Sequence, residues 1–171
     1  MELEKAREIA KEVRQYLDGS CVRIEIAGSI RRRKPDVGDI ELLCIPRTDG
    51  GVDWLDNRVR GLMHQGVLAL RLTILGRKVY GPKNKLMVYV PAGFGVDIFS
   101  TTEEGWPVSL VVRTGGKETN MRIATAALLK GYKFHAYGSG FSTPSGEIVC
   151  RSEREVFEAV GLPYREPWER Y

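Results

Sequence analysis

The chain is poor in the residues that hold a disulfide-rich or membrane-spanning protein together. Its three cysteines, Cys21, Cys44 and Cys150, form no CxxC pair, so the sequence indicates neither a disulfide framework nor a zinc cluster. Its apolar runs are too short for a signal peptide or a membrane span. The two histidines, His64 and His135, share no metal-ligand spacing. We therefore expect an intracellular, cytoplasmic protein with no membrane partner, associated with the nucleoid if DNA is what it binds.

The excess of positive charge is also small. A formal charge of +4 and an isoelectric point near 9.0 permit a polyanionic partner without requiring one. Hydrophobic residues make up 43% of the 171 residues, which is enough to fill one domain core or two smaller ones. We expect a soluble monomer.

Apolar spacing predicts the elements of a first lobe. Residues 2–18 and 54–64 have helical periodicity, and Gly19 follows the first of these helices. Four segments are typical of strands: "VRIEIAG", with Val22, Ile24 and Ile26 on one face, "DIELLCIP", "KLMVYV" and "GVDIFS". The last two flank "PAGF" as a hairpin, and "RLTILGRKVY" is a further candidate strand. This order predicts an α+β lobe around a mixed or antiparallel sheet with flanking helices.

The pattern changes after Trp106-Pro107. "GGKETNMRIATAALLKG" predicts a helix, and "SEREVFEAVG" predicts another, with the capping-box pair Ser152 and Glu155 at its start. Two short strands and a turn are expected between them. We therefore predict two lobes, residues 1–108 and a small α+β lobe of residues 109–171.

Three carboxylates occur where a strand would otherwise be apolar. Asp39 and Glu41 are two residues apart in "DIELLCIP", so their side chains point to the same face of the strand. Asp97 lies in the apolar segment "FGVDIFS". Adjacent carboxylates repel each other unless a cation lies between them, and hard divalent ions prefer oxygen ligands. Three acids on neighbouring strands predict a site for two metal ions.

A basic loop precedes the carboxylates. Gly28-Ser29 can offer backbone amides and a hydroxyl to a phosphate, and the run from Arg31 to Lys34 can neutralise its charge. Each feature alone has an ordinary explanation: a turn, a solvated loop, or the exposed face of a sheet. Their order, with an anion-binding turn followed by metal ligands, favours a triphosphate-binding site.

These motifs together resemble a known family. "AGSIRRRKPDVGDIEL" and "VDI" are similar to the signature of the nucleotidyltransferase superfamily, and "GSIRR" followed by "GDIE" resembles the family X DNA polymerases, which include polymerase beta. "RTGGKETNMRIATAALLKGYKFHAYG" and "EREVFEAVGLPYREPWER" resemble the Thr-Gly turn, the next helix and the C-terminal segment of that family. The resemblance implies a nucleotidyltransferase palm followed by a thumb-like lobe.

The resemblance also implies roles for individual residues. Asp39, Glu41 and Asp97 match the catalytic metal ligands, for Mg²⁺ or alternatively Mn²⁺, with two ions per site, and Asp97 would assist deprotonation of a primer 3'-hydroxyl. The implied substrates are a dNTP and a primer-template or gapped DNA. The residues that match nucleotide-binding positions are Gly28, Ser29, Arg32, Gly38, Gly115, Lys117 and Asn120. Weaker candidates for DNA contact are Arg122, Lys83 and Lys85.

Three functions remain open from the sequence. The first is a family X DNA polymerase that fills short gaps during repair, in a minimal palm-plus-thumb form without the lyase and helix-hairpin-helix modules of other members. The second is a nucleotidyltransferase that works without a template, or on RNA or protein; Val112-Arg113 in place of aromatic residues, and Ala124 in place of an arginine that contacts the template, keep it open. The third, a non-catalytic DNA-end-binding subunit, predicts the loss of an acid, and all three acids are present.

Overall fold

Six helices and ten strands build the chain, and the computed structural model describes all residues, 1–171. The helices are α1 (Leu3–Leu17), α2 (Gly28–Arg31), α3 (Trp54–His64), α4 (Trp106–Thr114), α5 (Lys117–Leu129) and α6 (Glu153–Glu158). The strands are β1 (Cys21–Ile26), β2 (Ile40–Pro46), β3 (Thr48–Asp49), β4 (Val52–Asp53), β5 (Leu68–Leu70), β6 (Asn84–Tyr89), β7 (Phe94–Ser100), β8 (Lys133–Phe134), β9 (Gly140–Thr143) and β10 (Gly146–Val149). No helix combines the length and the apolar character that crossing a membrane requires.

The largest sheet has five strands in the order β1-β2-β7-β6-β5. Strands β2 and β7 are parallel, and every other neighbouring pair is antiparallel. The mixed sheet with flanking helices confirms the predicted α+β fold class. Strands β10, β9 and β8 form a separate antiparallel sheet, and β3 pairs with β4 in a short hairpin.

Two main hydrophobic clusters and a small third one form the core. The first packs α1 and α3 against the five-stranded sheet and includes Val13, Leu42 and Leu62. The second lies among α4, α5, α6 and β9 and includes Val111 and Phe141. A small third cluster packs α4 against the opposite face of the five-stranded sheet; its members are Leu43, Ile45, Phe99, Trp106 and Leu110. Helix α4 thus contacts both parts of the chain through different faces.

Most predicted elements agree with the structure to within a few residues. The helix predicted over 54–64 has those bounds, and the predicted hairpin is β6 and β7. Strand β1 departs from the predicted alternation because its pairing with β2 shifts between Cys21 and Arg23, which leaves Val22 exposed. The region between α5 and α6 holds three strands where two were expected.

The candidate strand "RLTILGRKVY" is not one. Strand β5 ends at Leu70, and the chain then forms a turn in which the amide of Thr73 donates to the carbonyl of Arg77, 2.8 Å away. Gly76 supplies the left-handed conformation (φ 72°) that this turn needs. Ile74 and Leu75 are exposed at its tip, so their apolar character reflects no sheet packing.

Candidate active site

The three carboxylates converge on one face of the five-stranded sheet. Glu41 on β2 lies directly opposite Asp97 on β7 in the parallel register, and Ile40 lies opposite Val96. Ile40 and Val96 are fully buried on the other face. Because side chains alternate along a strand, the acids at 39, 41 and 97 share the remaining face. The parallel pairing of two strands that are distant in sequence thus assembles the site.

The site concentrates negative charge in a partly buried place. Burial, together with the charges of Asp39 and Asp97, raises the pKa of Glu41 to about 7. Burial also raises the pKa of Asp97, although the neighbouring guanidinium of Arg71 opposes this shift. Burial is the largest cause of both shifts, and the charges of the neighbouring carboxylates add to it. A set of partly buried oxygen donors with unfavourable mutual charge fits a hard divalent cation.

The carboxylates contact Arg71 and Gly28 rather than one another. The Asp97 carboxylate accepts a hydrogen bond from Arg71 Nη2, which also lies 3.7 Å from Asp39 Oδ2. The Glu41 carboxylate lies over Gly28: a Cβ at position 28 would be 1.8 Å from Glu41 Oε2. No three side chains among histidine, cysteine, aspartate and glutamate are grouped closely enough to ligate one ion together.

Gly28 and Ser29 are adjacent to these carboxylates. The amide of Ala27 donates to the carbonyl of Glu41 at 2.8 Å, which ties the start of α2 to β2. Gly28 is left-handed (φ 59°) and buried, a conformation that glycine adopts without strain. Ser29 is half-buried in the single turn of α2. The predicted anion-binding turn therefore lies beside the predicted metal ligands.

The basic run after Ser29 is not a freely solvated loop. Arg32 Nη1 donates to the carbonyl of Thr114 at the end of α4, its Nε is buried without a partner, and burial lowers its pKa. Arg31 donates to Thr114 Oγ1 at 2.7 Å and to both carboxylate oxygens of Glu153 at 2.8 Å each. The proposed role of Arg31 in neutralising phosphate is therefore wrong for this conformation, because Glu153 already neutralises its charge.

The turn after α4 lies against this loop. A Cβ at Gly115 would be 2.9 Å from Arg32 Nη1, so the chain passes very close to the guanidinium. Asn120 Nδ2 donates to the carbonyl of Val112 at 2.9 Å, while its Oδ1 is buried and has no hydrogen-bond partner. Lys117 is exposed at the start of α5. The structure thus brings Gly115 to Arg32 and leaves one polar atom of Asn120 unpaired.

Three other predicted nucleotide or DNA contacts are exposed. Gly38 directly precedes Asp39 and has open space where a Cβ would lie. Arg122 projects from the exposed face of α5. Lys83 is also exposed, with its ammonium 5.7 Å from the centre of the Tyr137 ring.

Lys85 does not have the predicted environment. Its side chain is 1% exposed, and its ammonium donates to the carbonyl of Gly81 at 3.0 Å and lies 3.6 Å from Asp56 Oδ1. Its position in β6 turns it toward α3, where Asp56 compensates the buried charge. The prediction that Lys85 contacts a DNA backbone is therefore wrong.

One residue of the site was not predicted. Arg71 contacts two of the three acids, yet it follows a strand of three residues and precedes an irregular segment. No motif or spacing in the sequence connects it with residues 39 or 97.

Comparison with known proteins finds sequence similarity to DNA polymerases. The family model for the DNA polymerase beta thumb matches residues 109–171. The chain is 28% identical over 167 residues to the DNA polymerase/3'-5' exonuclease PolX of Bacillus subtilis, covering 95% of this chain but 27% of that protein. It is 25% identical over 150 residues to the repair DNA polymerase X of African swine fever virus, covering 86% of this chain and 80% of the viral protein.

Solved structures share the fold. The chain resembles Leishmania infantum polymerase beta in a ternary P/T complex, with a TM-score of 0.78 and 23% identity over 100% of this chain and 76% of that one. For the ternary gap complex of that protein, the TM-score is also 0.78, with 21% identity over 99% of this chain and 70% of that one. The arrangement of the five-stranded sheet and its helices is thus that of polymerase beta.

Proposed function

We propose that the chain is a family X DNA polymerase, which transfers a deoxynucleotide from a dNTP to a primer 3'-hydroxyl and fills short gaps during DNA repair; the match to the polymerase beta thumb and the two curated relatives support this proposal. The observation that carries this proposal is the pairing of Glu41 with Asp97 across parallel strands, with Asp39 on the same face and Gly28-Ser29 beside them. A metal site at these acids would lie next to a phosphate site at Gly28-Ser29.

Asp39, Glu41 and Asp97 are the residues that would hold two Mg²⁺ ions, or Mn²⁺ in their place. When bound, such ions would polarise the α-phosphate and stabilise charge on the attacking and leaving oxygens. Asp97 would accept the proton of the primer 3'-hydroxyl, and burial, which raises its pKa, makes this carboxylate a better base than an exposed aspartate. A bond would form between the 3'-oxygen and the α-phosphorus, and the bond to the β-phosphate would break to release pyrophosphate.

The remaining residues would position the nucleotide. Ser29, Arg32 and Gly38 would contact the triphosphate; the unpaired Nε of Arg32 leaves a donor for it. Gly115, Lys117 and Asn120 would lie along the sugar and base, and the unpaired Oδ1 of Asn120 offers an acceptor there. Holding the reactants in line would supply most of the rate enhancement.

The two parts of the chain would have separate tasks. We propose residues 1–108 as the palm that carries out the chemistry and residues 109–171 as the thumb-like lobe that closes over the nucleotide and DNA. Arg122 and Lys83 would contact the DNA backbone. The protein would act as a monomer on nucleoid DNA in the cytoplasm.

The test is nucleotide incorporation on a gapped duplex and on a single-stranded primer, with each dNTP and rNTP offered separately and with Mg²⁺ or Mn²⁺. The proposal predicts extension of the gapped duplex by the complementary dNTP. A second candidate, transfer without a template, is favoured by Ala124, which is exposed on α5 and has no side chain long enough to contact a template strand. Extension of the single strand, or indifference to the template base, would establish that candidate instead.

A further inference from the structure

Arg71 contacts two of the three acids although it follows the edge strand β5, which is separated from β7 by β6. Strand β5 is the edge strand farthest from β1, and Arg71 is the residue after it. Its guanidinium donates to Asp97 and lies 3.7 Å from Asp39 Oδ2. No other side chain forms a salt bridge with either aspartate.

The sheet register explains how Arg71 reaches this position. The amide of Arg71 donates to the carbonyl of Leu86 on β6 at 3.0 Å, and Leu86 lies opposite Asp97 on β7. Asp97 in turn lies opposite Glu41 on β2. Residues opposite one another share a face, and each strand is about 4.8 Å from the next, so an arginine can span the intervening strand. Arg71 extends over Leu86 to reach Asp97.

Gly95 leaves the space that the guanidinium occupies. A Cβ at position 95 would lie 3.2 Å from Arg71 Nη1 and 3.4 Å from Arg71 Cζ. Gly95 does not have a left-handed conformation, so any residue could adopt its backbone angles. A glycine at position 95 therefore has a local reason, because it leaves room beside Asp97 for the guanidinium of Arg71.

We propose that Arg71 is a positioning residue for the catalytic carboxylates: it fixes Asp97 and neutralises the Asp39–Asp97 pair until a divalent cation enters. The proposal rests on the proposed function only in treating those carboxylates as metal ligands. Its consequence is competition, because a divalent cation and the guanidinium are alternative partners for the same oxygens. Arg71 thus lowers the affinity of the site for the ion while it keeps the site ordered without one.

The first test measures Mn²⁺ binding by the whole protein, without DNA or nucleotide, using electron paramagnetic resonance to count free ions. Arg71→Ala should bind Mn²⁺ about tenfold more tightly than wild type, since a positive charge beside the ion has been removed. Arg71→Lys should lie between the two. Arg77→Ala, an exposed arginine in the adjacent turn, should leave the affinity unchanged. Unchanged or weaker binding by Arg71→Ala would overturn the proposal.

The second test does not depend on metal or activity. Gly95→Ala should lower the melting temperature of wild type, because the new methyl group presses on Arg71, and should have no such effect in the Arg71→Ala background. Equal losses in both backgrounds would show that Arg71 does not occupy this place. A protein that shows the coupling but extends no primer would contradict the proposed function alone, so the two failures can be distinguished.

Discussion

At the scale of single residues, one strand register assembles the acidic face: Glu41 lies opposite Asp97, and alternation along the strand puts Asp39 on the same side. The alternation in "DIELLCIP" predicts the shared face of Asp39 and Glu41, but no such pattern predicts the environment of Lys85. An exposed and a buried lysine look alike in sequence, and the burial of Lys85 depends on Asp56, a residue of a different element. The role of Arg71 could not be predicted for the same reason, since strand β6 lies between Arg71 and its partner Asp97 in the sheet.

Comparing Gly28→Ala with Gly93→Ala should separate the cost of backbone strain from the effect of displacing the Glu41 carboxylate. An alanine at φ 59° should destabilise the protein by about 1–2 kcal/mol, and its Cβ would also displace the Glu41 carboxylate. Gly93→Ala is the matched control because Gly93 has the same φ of 59° and no atom near its Cβ position. Urea unfolding should show similar losses for both variants, while primer extension should fall only for Gly28→Ala. Equal activity in the two variants would contradict the assigned contact.

At the scale of elements, periodicity predicted α1 and α3, because each has one buried face and one exposed face, and the short loop "PAGF" between two apolar segments predicted the hairpin of β6 and β7. Periodicity could not predict α4. Seven of its nine residues are buried, so no polar stripe marks a helix. The sequence also did not predict the contact between α2 and α6. Glu153, the first residue of α6, accepts hydrogen bonds from Arg31 and from Arg170, and the side chain of Arg170 is fully buried.

Glu153→Gln should reveal this ion pair through its pH dependence. Burial opposes ionisation of Glu153, but hydrogen bonds and charges from Arg31 and Arg170 outweigh it and lower the pKa of Glu153. A lowered pKa stabilises the fold above the ordinary carboxyl pKa of about 4.3, and this stabilisation is lost as pH falls through the folded-state value. At neutral pH the variant should lose about 3 kcal/mol of unfolding free energy.

Urea unfolding at neutral and at acidic pH would check this prediction. The difference between Glu153→Gln and wild type should shrink once the pH is below the ordinary carboxyl pKa. Glu158→Gln, an exposed change on the same helix, should have little effect at either pH. If the difference in unfolding free energy stays constant with pH, the charge of Glu153 does not contribute to stability and its packing does.

At the scale of the whole molecule, composition predicted enough apolar residues for a core but not its division into three clusters, two of which include residues of α4. That division depends on contacts between residues far apart in the chain. Arg32 connects the two parts of the chain, since it donates from the end of α2 to the carbonyl of Thr114 and lies against Gly115. Two residues proposed to contact the nucleotide, Arg32 and Gly115, are thus in direct contact although they lie in different parts of the chain.

The small net positive charge makes DNA binding depend on a few exposed side chains. If Arg122 contacts a phosphate, Arg122→Ala should weaken gapped-DNA binding for all sequences and reduce the slope of log affinity against log salt by about 1. Lys11→Ala, on the exposed face of α1 away from the site, should leave the slope unchanged. Fluorescence anisotropy over a range of salt concentrations measures this slope. Equal slopes for all three proteins would remove Arg122 from the DNA interface.

The most direct test of the central claim is single-turnover extension of a gapped duplex by wild type and by Asp97→Asn in Mg²⁺. Asparagine keeps the size of the side chain but removes the charge and the base. The account predicts a rate loss of more than about a hundredfold, with the melting temperature and DNA affinity nearly unchanged. Turnover by Asp97→Asn close to that of wild type would contradict the assignment of this carboxylate cluster as the catalytic centre.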